Sequence, residues 1–117
     1  MNAVIRLAAP LLVLMAATVS GAHAQTDEGV PYDLAVSRLR ACITSGAAGA
    51  PRDSLHSAVV AIRSLCGAQI ARVRDRRVAD ATRGLTGEEA KAAETRAILA
   101  LNDEIARTIA AMTGLKP

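Results

Sequence analysis

The sequence predicts an all-α fold: a small antiparallel helical bundle, with three helices in the mature chain, pinned by one disulfide. Apolar residues recur at spacings of three and four in three separate segments, which is the periodicity of amphipathic helices. No stretch shows the alternation that is typical of a strand. The chain contains two cysteines, and three helices joined by short connectors favour an antiparallel bundle.

The N-terminus has the three parts of a cleavable secretory signal peptide. Arg6 supplies the positive charge, residues 7–19 form an apolar run, and residues 22–24 (Ala-His-Ala) form a cleavage site. A retained membrane anchor is the alternative, but the run is shorter than the roughly 20 residues that span a bilayer. We therefore expect residues 1–24 to be removed, leaving residues 25–117 as one exported domain, periplasmic or secreted, without a stable membrane span.

The mature chain has a small positive charge and almost no aromatic residues. Without Arg6 it carries 13 Lys and Arg against 11 Asp and Glu, and Tyr32 is its single aromatic residue. Proteins that bind nucleic acids use basic surfaces and stack bases on aromatic rings. We therefore expect no nucleic-acid partner.

Cys42 and Cys66 are predicted to form the disulfide. An even cysteine count in a small exported domain indicates a disulfide, with redox or intermolecular pairing as the alternative. The bond would close a loop of about 25 residues and stabilise the fold by about 3 kcal/mol, mainly by restricting the unfolded chain.

The first helix is predicted to begin near Pro31 and Asp33 and to end near Ser45. Residues 46–51 (Gly-Ala-Ala-Gly-Ala-Pro) are predicted to be a connector, because two glycines and a proline stop a helix. The residues on one face of this helix are Ala35, Leu39, Cys42 and Ile43.

The second helix is predicted to be the longest, from a cap at Asp53 or Ser54 to about residue 82 or 83, with Gly84 as its stop. Gly67 interrupts it as either a close-approach site or a local bend. Its apolar stripe is Leu55, Val59, Ile62, Cys66, Ile70 and Val73.

The third helix has the signature of a capping box, in which the Thr86 hydroxyl and the Glu89 carboxylate each bond the other's backbone N–H. Gly114 is placed to end the helix in a left-handed turn, with Leu115 folding back on the core. The predicted stripe is Ile98, Leu101, Ile105, Ile109 and Met112.

These boundaries create a geometric difficulty for the disulfide. Cys42 would lie about 5 Å from the end of its helix and Cys66 about 18 Å from the start of its own, at about 1.5 Å per residue. To bring the two cysteines together, either the connector runs back along the bundle or the helices cross at a steep angle.

The sequence contains few residues that could support catalysis or bind a metal. His56 is the single histidine of the mature chain and is expected at the surface, and Met112 is expected in the core. No nucleophile–base motif or phosphate-binding loop is present in the sequence. We expect a protein that is not an enzyme and has no cofactor.

Residues 72–83 contain a cluster of arginines that admits two interpretations. One is a solvated helix face with Arg72–Asp75 and Arg76–Asp80 pairs at helical spacing. The other is a strip that binds an anionic partner, which could be an acidic protein, phospholipid head groups or an envelope polymer. The candidate strip is Arg72, Arg74, Arg76, Arg77 and Arg83.

Residues 85–89, Leu-Thr-Gly-Glu-Glu, open a helix in a small exported helical protein. This is similar to the L-T-x-x-Q motif of the periplasmic Spy/CpxP chaperones and stress sensors, with Glu89 in place of Gln and no second copy of the motif. The resemblance implies a periplasmic chaperone.

Taken without that resemblance, the residues favour a non-enzymatic exported protein that binds another macromolecule or has a structural role in the cell envelope. The alternative is a small-molecule, metal or haem carrier with His56 and Met112 as ligands. A thin, alanine-rich core could also be completed by homodimerisation.

Overall fold

The computed structural model describes residues 29–117, so the predicted signal peptide lies outside the described residues. The described part is all-helical, and it contains the Cys42–Cys66 disulfide, which confirms the predicted class and the predicted cysteine pair. Four helices follow one another along the chain: α1 (Tyr32–Gly49), α2 (Leu55–Leu65), α3 (Gly67–Thr82) and α4 (Gly87–Thr113).

Helix α1 is longer than predicted, because residues 46–49 are helical and not part of the connector. Gly46 is buried, and a Cβ atom built on it would lie 3.2 Å from side-chain atoms of both Ile62 and Leu65. The glycine therefore lets α1 approach α2 closely, and this packing offsets the cost of about 1 kcal/mol that glycine carries inside a helix. The helix ends where Ala50 becomes extended ahead of Pro51.

The predicted second helix is divided into α2 and α3, so the predicted count of three helices is wrong. Cys66 leaves the regular helical conformation, with φ −101° and ψ 17°. A Cβ on Gly67 would meet nothing within 4 Å, so the close-approach interpretation of this glycine is wrong and the bend is correct. Ser54 is the N-cap of α2, and its Oγ accepts a hydrogen bond from the backbone N–H of Ser57 at 3.1 Å.

The predicted start of α4 is wrong in its capping, whereas the predicted end is correct. Thr86 is the N-cap residue, but its side chain accepts no capping hydrogen bond, so the predicted capping box is wrong. Gly87, the first helical residue, has a φ of +57°, whereas a capping box requires ordinary helical geometry there. At the other end the prediction is confirmed: Gly114 is left-handed and donates its N–H to Ala110 O at 2.9 Å.

The core is made of small and aliphatic side chains. Helix α3 packs most extensively against α4 and next against α1. Met112, predicted in the core, is 39 % exposed, because the buried position of the last turn belongs to Thr113, whose hydroxyl donates to Ile109 O at 2.7 Å. The core residues shared among the four helices are Ala35, Leu39, Ile43, Ala47, Ala58, Ile62, Cys66, Ile70, Val73, Leu101, Ile105 and Ile109.

The disulfide joins the middle of α1 to the break between α2 and α3, with the two Cα atoms 5.9 Å apart. The extra turn of α1 removes most of the geometric difficulty. Cys42 now lies about 11 Å from the end of its helix, against about 17 Å from the start of α2 to Cys66. The five residues 50–54 between the helices span the remaining difference.

Candidate functional site

The structure divides the predicted arginine strip instead of forming one surface from it. Arg76 Nη1 donates to the backbone oxygen of Val30 at 2.8 Å. Arg77 Nε donates to the Tyr32 hydroxyl at 2.9 Å and its Nη1 to Glu104 Oε2 at 2.6 Å. Both guanidinium groups are therefore occupied in holding the start of α1 and the middle of α4.

The exposed arginines of the strip pair with neighbouring carboxylates. Arg74 Nη2 lies 3.0 Å from Asp75 Oδ1, and Arg83 Nη2 lies 2.5 Å from Asp80 Oδ1. The predicted Arg76–Asp80 pair is not formed, because Arg76 turns toward α1. Exposed pairs of this kind contribute at most about 1 kcal/mol and can exchange for an external anion at little cost.

Glu104 is the centre of an ionic contact that joins three helices. The hydrogen bond from Arg77 lowers the pKa of Glu104, against the opposing effect of desolvation, and the charges of Arg107 and Arg40 lower it further. The same hydrogen bond raises the pKa of Arg77, with a smaller contribution from Tyr32. Because each group finds its main partner in the other, this cluster is best explained as a tie between α1, α3 and α4.

Three contacts define how α1 and α3 lie together. Val30 meets Arg76, Tyr32 meets Arg77, and Cys42 is bonded to Cys66. From Tyr32 to Cys42 the residue number rises along α1, while the partner changes from Arg77 back to Cys66, so the two helices run in opposite directions.

This register places a second set of side chains on one flank of the α1–α3 pair. Arg38 lies one turn before Cys42, and Arg72 lies one turn before Arg76. Val36 and Arg40 border α4 at Glu104, which leaves Arg38 on the opposite side of α1.

Two exposed leucines belong to the neighbouring elements, one to α1 and one to the end of α2. Leu34, one turn before Arg38, is 41 % exposed, and Leu65, which contacts α1 at Gly46, is 63 % exposed. We call this surface the basic face; it consists of Leu34, Arg38, Leu65, Arg72 and Arg76.

Four of the five residues of the basic face lie in a part of the chain that is nearly free of acidic residues, and the fifth, Arg76, follows Asp75. Six arginines occur in residues 34–74, and Asp53 is the single carboxylate in that stretch. Asp53 lies in the α1–α2 connector, where its Oδ2 accepts a hydrogen bond from Ser57 Oγ at 2.8 Å. The sequence analysis missed Arg38 and both leucines because it looked for clustered arginines. The feature that marks this surface in the sequence is the small number of Asp and Glu residues.

His56 and Met112, the predicted ligands of a carrier, line different surface depressions. His56 is exposed at an open cleft of about 580 Å³ between α2 and α4, beside Val59 and Ala106. Met112 borders a separate depression of about 300 Å³ with Thr44 and Ala47. Residues 29–117 contain no group of three His, Cys, Asp or Glu residues that could hold a metal ion.

None of the helices within residues 29–117 has the length and apolar character needed to cross a membrane. Comparisons with protein-family models, with curated proteins and with solved structures found no match to this chain.

Proposed function

We propose that this chain is a non-enzymatic exported protein that binds an anionic component of the cell envelope through the basic face. The observation that carries the proposal is the charge of the basic face: it contains Arg38, Arg72 and Arg76, and Asp53 is the single carboxylate among residues 34–74. A surface with one sign of charge attracts and orients ligands of the opposite sign.

The proposal takes the four helices as an antiparallel bundle that serves as a rigid support. Two contacts with α4 favour this arrangement, since Arg52, just before α2, donates to Thr113 O and Arg63 of α2 donates to Asn102 Oδ1, each at 2.8 Å. Here too the residue numbers change in opposite directions along the two helices. The disulfide adds a covalent tie and is typical of proteins from oxidising compartments.

A binding role also agrees with the positions of the two ionisable groups whose pKa values are shifted, Arg77 and Glu104. Catalytic sites require groups whose pKa values are shifted toward their chemical task. Arg77 and Glu104, whose pKa values are shifted, stabilise each other's charged forms across three helices. This pairing stabilises the fold, and it does not prepare either group to give or take a proton.

The test is a pull-down from envelope extract with immobilised residues 25–117. We compare the Arg38→Gln variant with Arg96→Gln, which makes the same charge change at an exposed position of α4. An arginine near an anionic surface contributes about 1 kcal/mol, so Arg38→Gln should recover about fivefold less partner. Wild type and Arg96→Gln should recover equal amounts, and all binding should fall at raised salt.

Recovery that is equal for Arg38→Gln and Arg96→Gln would contradict the proposal, as would a partner retained at high salt. Export has its own test, which is cell fractionation followed by N-terminal sequencing. A mature protein that begins at Gln25 is the expected result, and an intact protein in the cytoplasm would contradict it.

A further inference from the structure

We infer that Met112 is a reversible oxidation site, at which a peroxide converts the thioether to a sulfoxide whose oxygen is bound by Thr44 and Arg52. Oxidation therefore strengthens the contact between α1 and α4 instead of weakening the fold. This modification is independent of the basic face and goes beyond the proposed binding role.

The thioether of Met112 lies at the surface, near the end of α4. The side chain is 39 % exposed and borders the open depression of about 300 Å³, and the buried position of the same turn belongs to Thr113. Methionine sulfoxide damages proteins mainly when the polar group forms inside a core. At Met112 a peroxide can reach the side chain, and the sulfoxide forms outside the core.

The Thr44 hydroxyl is placed to bind the new oxygen. Thr44 Oγ1 lies 3.7 Å from Met112 Sδ, across the contact between α1 and α4. A thioether sulfur is a weak hydrogen-bond acceptor, whereas a sulfoxide is a polar group. At this separation an oxygen bonded to the sulfur comes within ordinary hydrogen-bonding distance of the hydroxyl, so neither helix has to move.

Turning the Thr44 proton toward the sulfoxide leaves no buried group without a partner. In the unoxidised protein the hydroxyl donates to Arg40 O at 2.9 Å, one turn earlier in α1. That carbonyl also accepts a backbone N–H within the helix, as every carbonyl in a helix interior does. The carbonyl therefore keeps one hydrogen bond when the hydroxyl turns away.

Arg52 supplies a second donor at the same depression. Its Nη1 donates to Thr113 O at 2.8 Å, which fixes the guanidinium beside Met112. A guanidinium carries N–H groups on all three of its nitrogens, so the group that Thr113 holds has further donors for an oxygen in the depression. Its positive charge strengthens such a hydrogen bond.

The reaction is a two-electron oxidation of the sulfur. The Sδ lone pair attacks one oxygen of hydrogen peroxide, the S–O bond forms as the O–O bond breaks, and the other oxygen leaves as water with both protons. Methionine sulfoxide reductases reverse the modification, with a thiol as the reductant.

The experiment is treatment of residues 25–117 with dilute hydrogen peroxide, followed by mass spectrometry and thermal unfolding. Met112 is the single methionine of this stretch, so the gain of one oxygen atom by its peptide reports the reaction. Thr44→Val removes the hydroxyl at nearly constant shape, and Met112→Leu is the control for oxidation elsewhere. Circular dichroism before treatment establishes that each variant is folded.

We expect Met112 of the folded wild type to react within about tenfold of the rate of free methionine, because oxidation follows exposure. The oxidised wild type should melt about 4 °C higher, which is the shift for one added hydrogen bond in a domain of this size. Oxidised Thr44→Val should melt no higher than before treatment, and Met112→Leu should not change. Treatment with methionine sulfoxide reductases should return the wild type to its original melting temperature.

A melting temperature of the wild type that stays the same or falls on oxidation would overturn the inference. An equal rise in Thr44→Val would do so too, because the oxygen is then not held by Thr44, as would a slower reaction than the expected range. None of these results alters the Arg38-dependent recovery of an envelope partner, so the proposed function stands or fails separately.

Discussion

Replacing Gly46 with alanine tests the close contact between α1 and α2. The new Cβ atom would lie 3.2 Å from Ile62 Cγ1 and 3.2 Å from Leu65 Cδ2. Ile62 is 1 % exposed and has no free space to enter, whereas Leu65 is mostly exposed and can rotate away. One of the two contacts is therefore rigid, which places the overpacking cost near the middle of the usual range, at about 2 kcal/mol.

Alanine also gains about 1 kcal/mol over glycine within a helix, so the expected net effect of Gly46→Ala is a loss of about 1 kcal/mol. Gly49→Ala is the matched control, because Gly49 ends the same helix and a Cβ there would meet nothing within 4 Å. That substitution should stabilise the protein by about 0.5 kcal/mol.

The assay is reversible denaturation by urea and by heat, with the disulfide intact in both variants. A difference of about 1.5 kcal/mol corresponds to a melting temperature about 6 to 12 °C lower for Gly46→Ala than for Gly49→Ala. Equal stability of the two variants, with unchanged denaturant slopes, would refute the argument that Gly46 allows a close helix contact.

Three further predictions concern stability. Reduction of the disulfide should lower the free energy of unfolding by about 3 kcal/mol, from the entropy of a loop of about 25 residues; a loss below about 1 kcal/mol would contradict this. Glu104 has a lowered pKa in the folded protein, so the stability that its charge provides is present at neutral pH and is lost as the pH falls below the ordinary value of 4.5. Glu104→Gln should therefore be less stable than wild type at pH 7, and the difference should shrink as the pH falls below 4.5; a difference that is constant with pH would exclude this role. Ser54→Ala removes a capping hydrogen bond and should destabilise the protein by about 1 kcal/mol. Thr86→Ala should change the stability by less than about 0.5 kcal/mol, because the Thr86 side chain accepts no capping hydrogen bond. Comparable losses for the two variants in urea denaturation would show that Thr86 caps α4.

The sequence predicted best those features that depend on a few adjacent residues. Gly84 and Gly114 both have positive φ at helix ends, and glycine adopts this conformation at no steric cost. Gly46 carried the same signal and was misinterpreted, because its role depends on Ile62 and Leu65 of another helix. Local sequence therefore identifies a glycine but does not distinguish one that ends a helix from one that admits a neighbouring helix.

The arginines show the same limit at the candidate site. Arg77 follows Val73 by four residues, so its position on the core side of α3 could be read from the sequence. Its partners could not, since Tyr32 and Glu104 are 45 and 27 residues away. The basic face likewise depends on the register of α1 against α3, which is set by contacts between distant parts of the chain.

Several arginines in this protein combine a structural role with an electrostatic one. Arg52, Arg63 and Arg76 each donate a hydrogen bond to an uncharged oxygen of another element, so each ties two segments while keeping its charge. In a core built largely of alanine, isoleucine and leucine, such ties and the long aliphatic stems of arginine supply contacts that aromatic side chains supply elsewhere. Loss of one of these arginines would weaken both the fold and the positive surface, so binding data from such a variant would be ambiguous. Arg38 is exposed on α1, and for this reason a substitution there tests the charge of the basic face with the least effect on the fold.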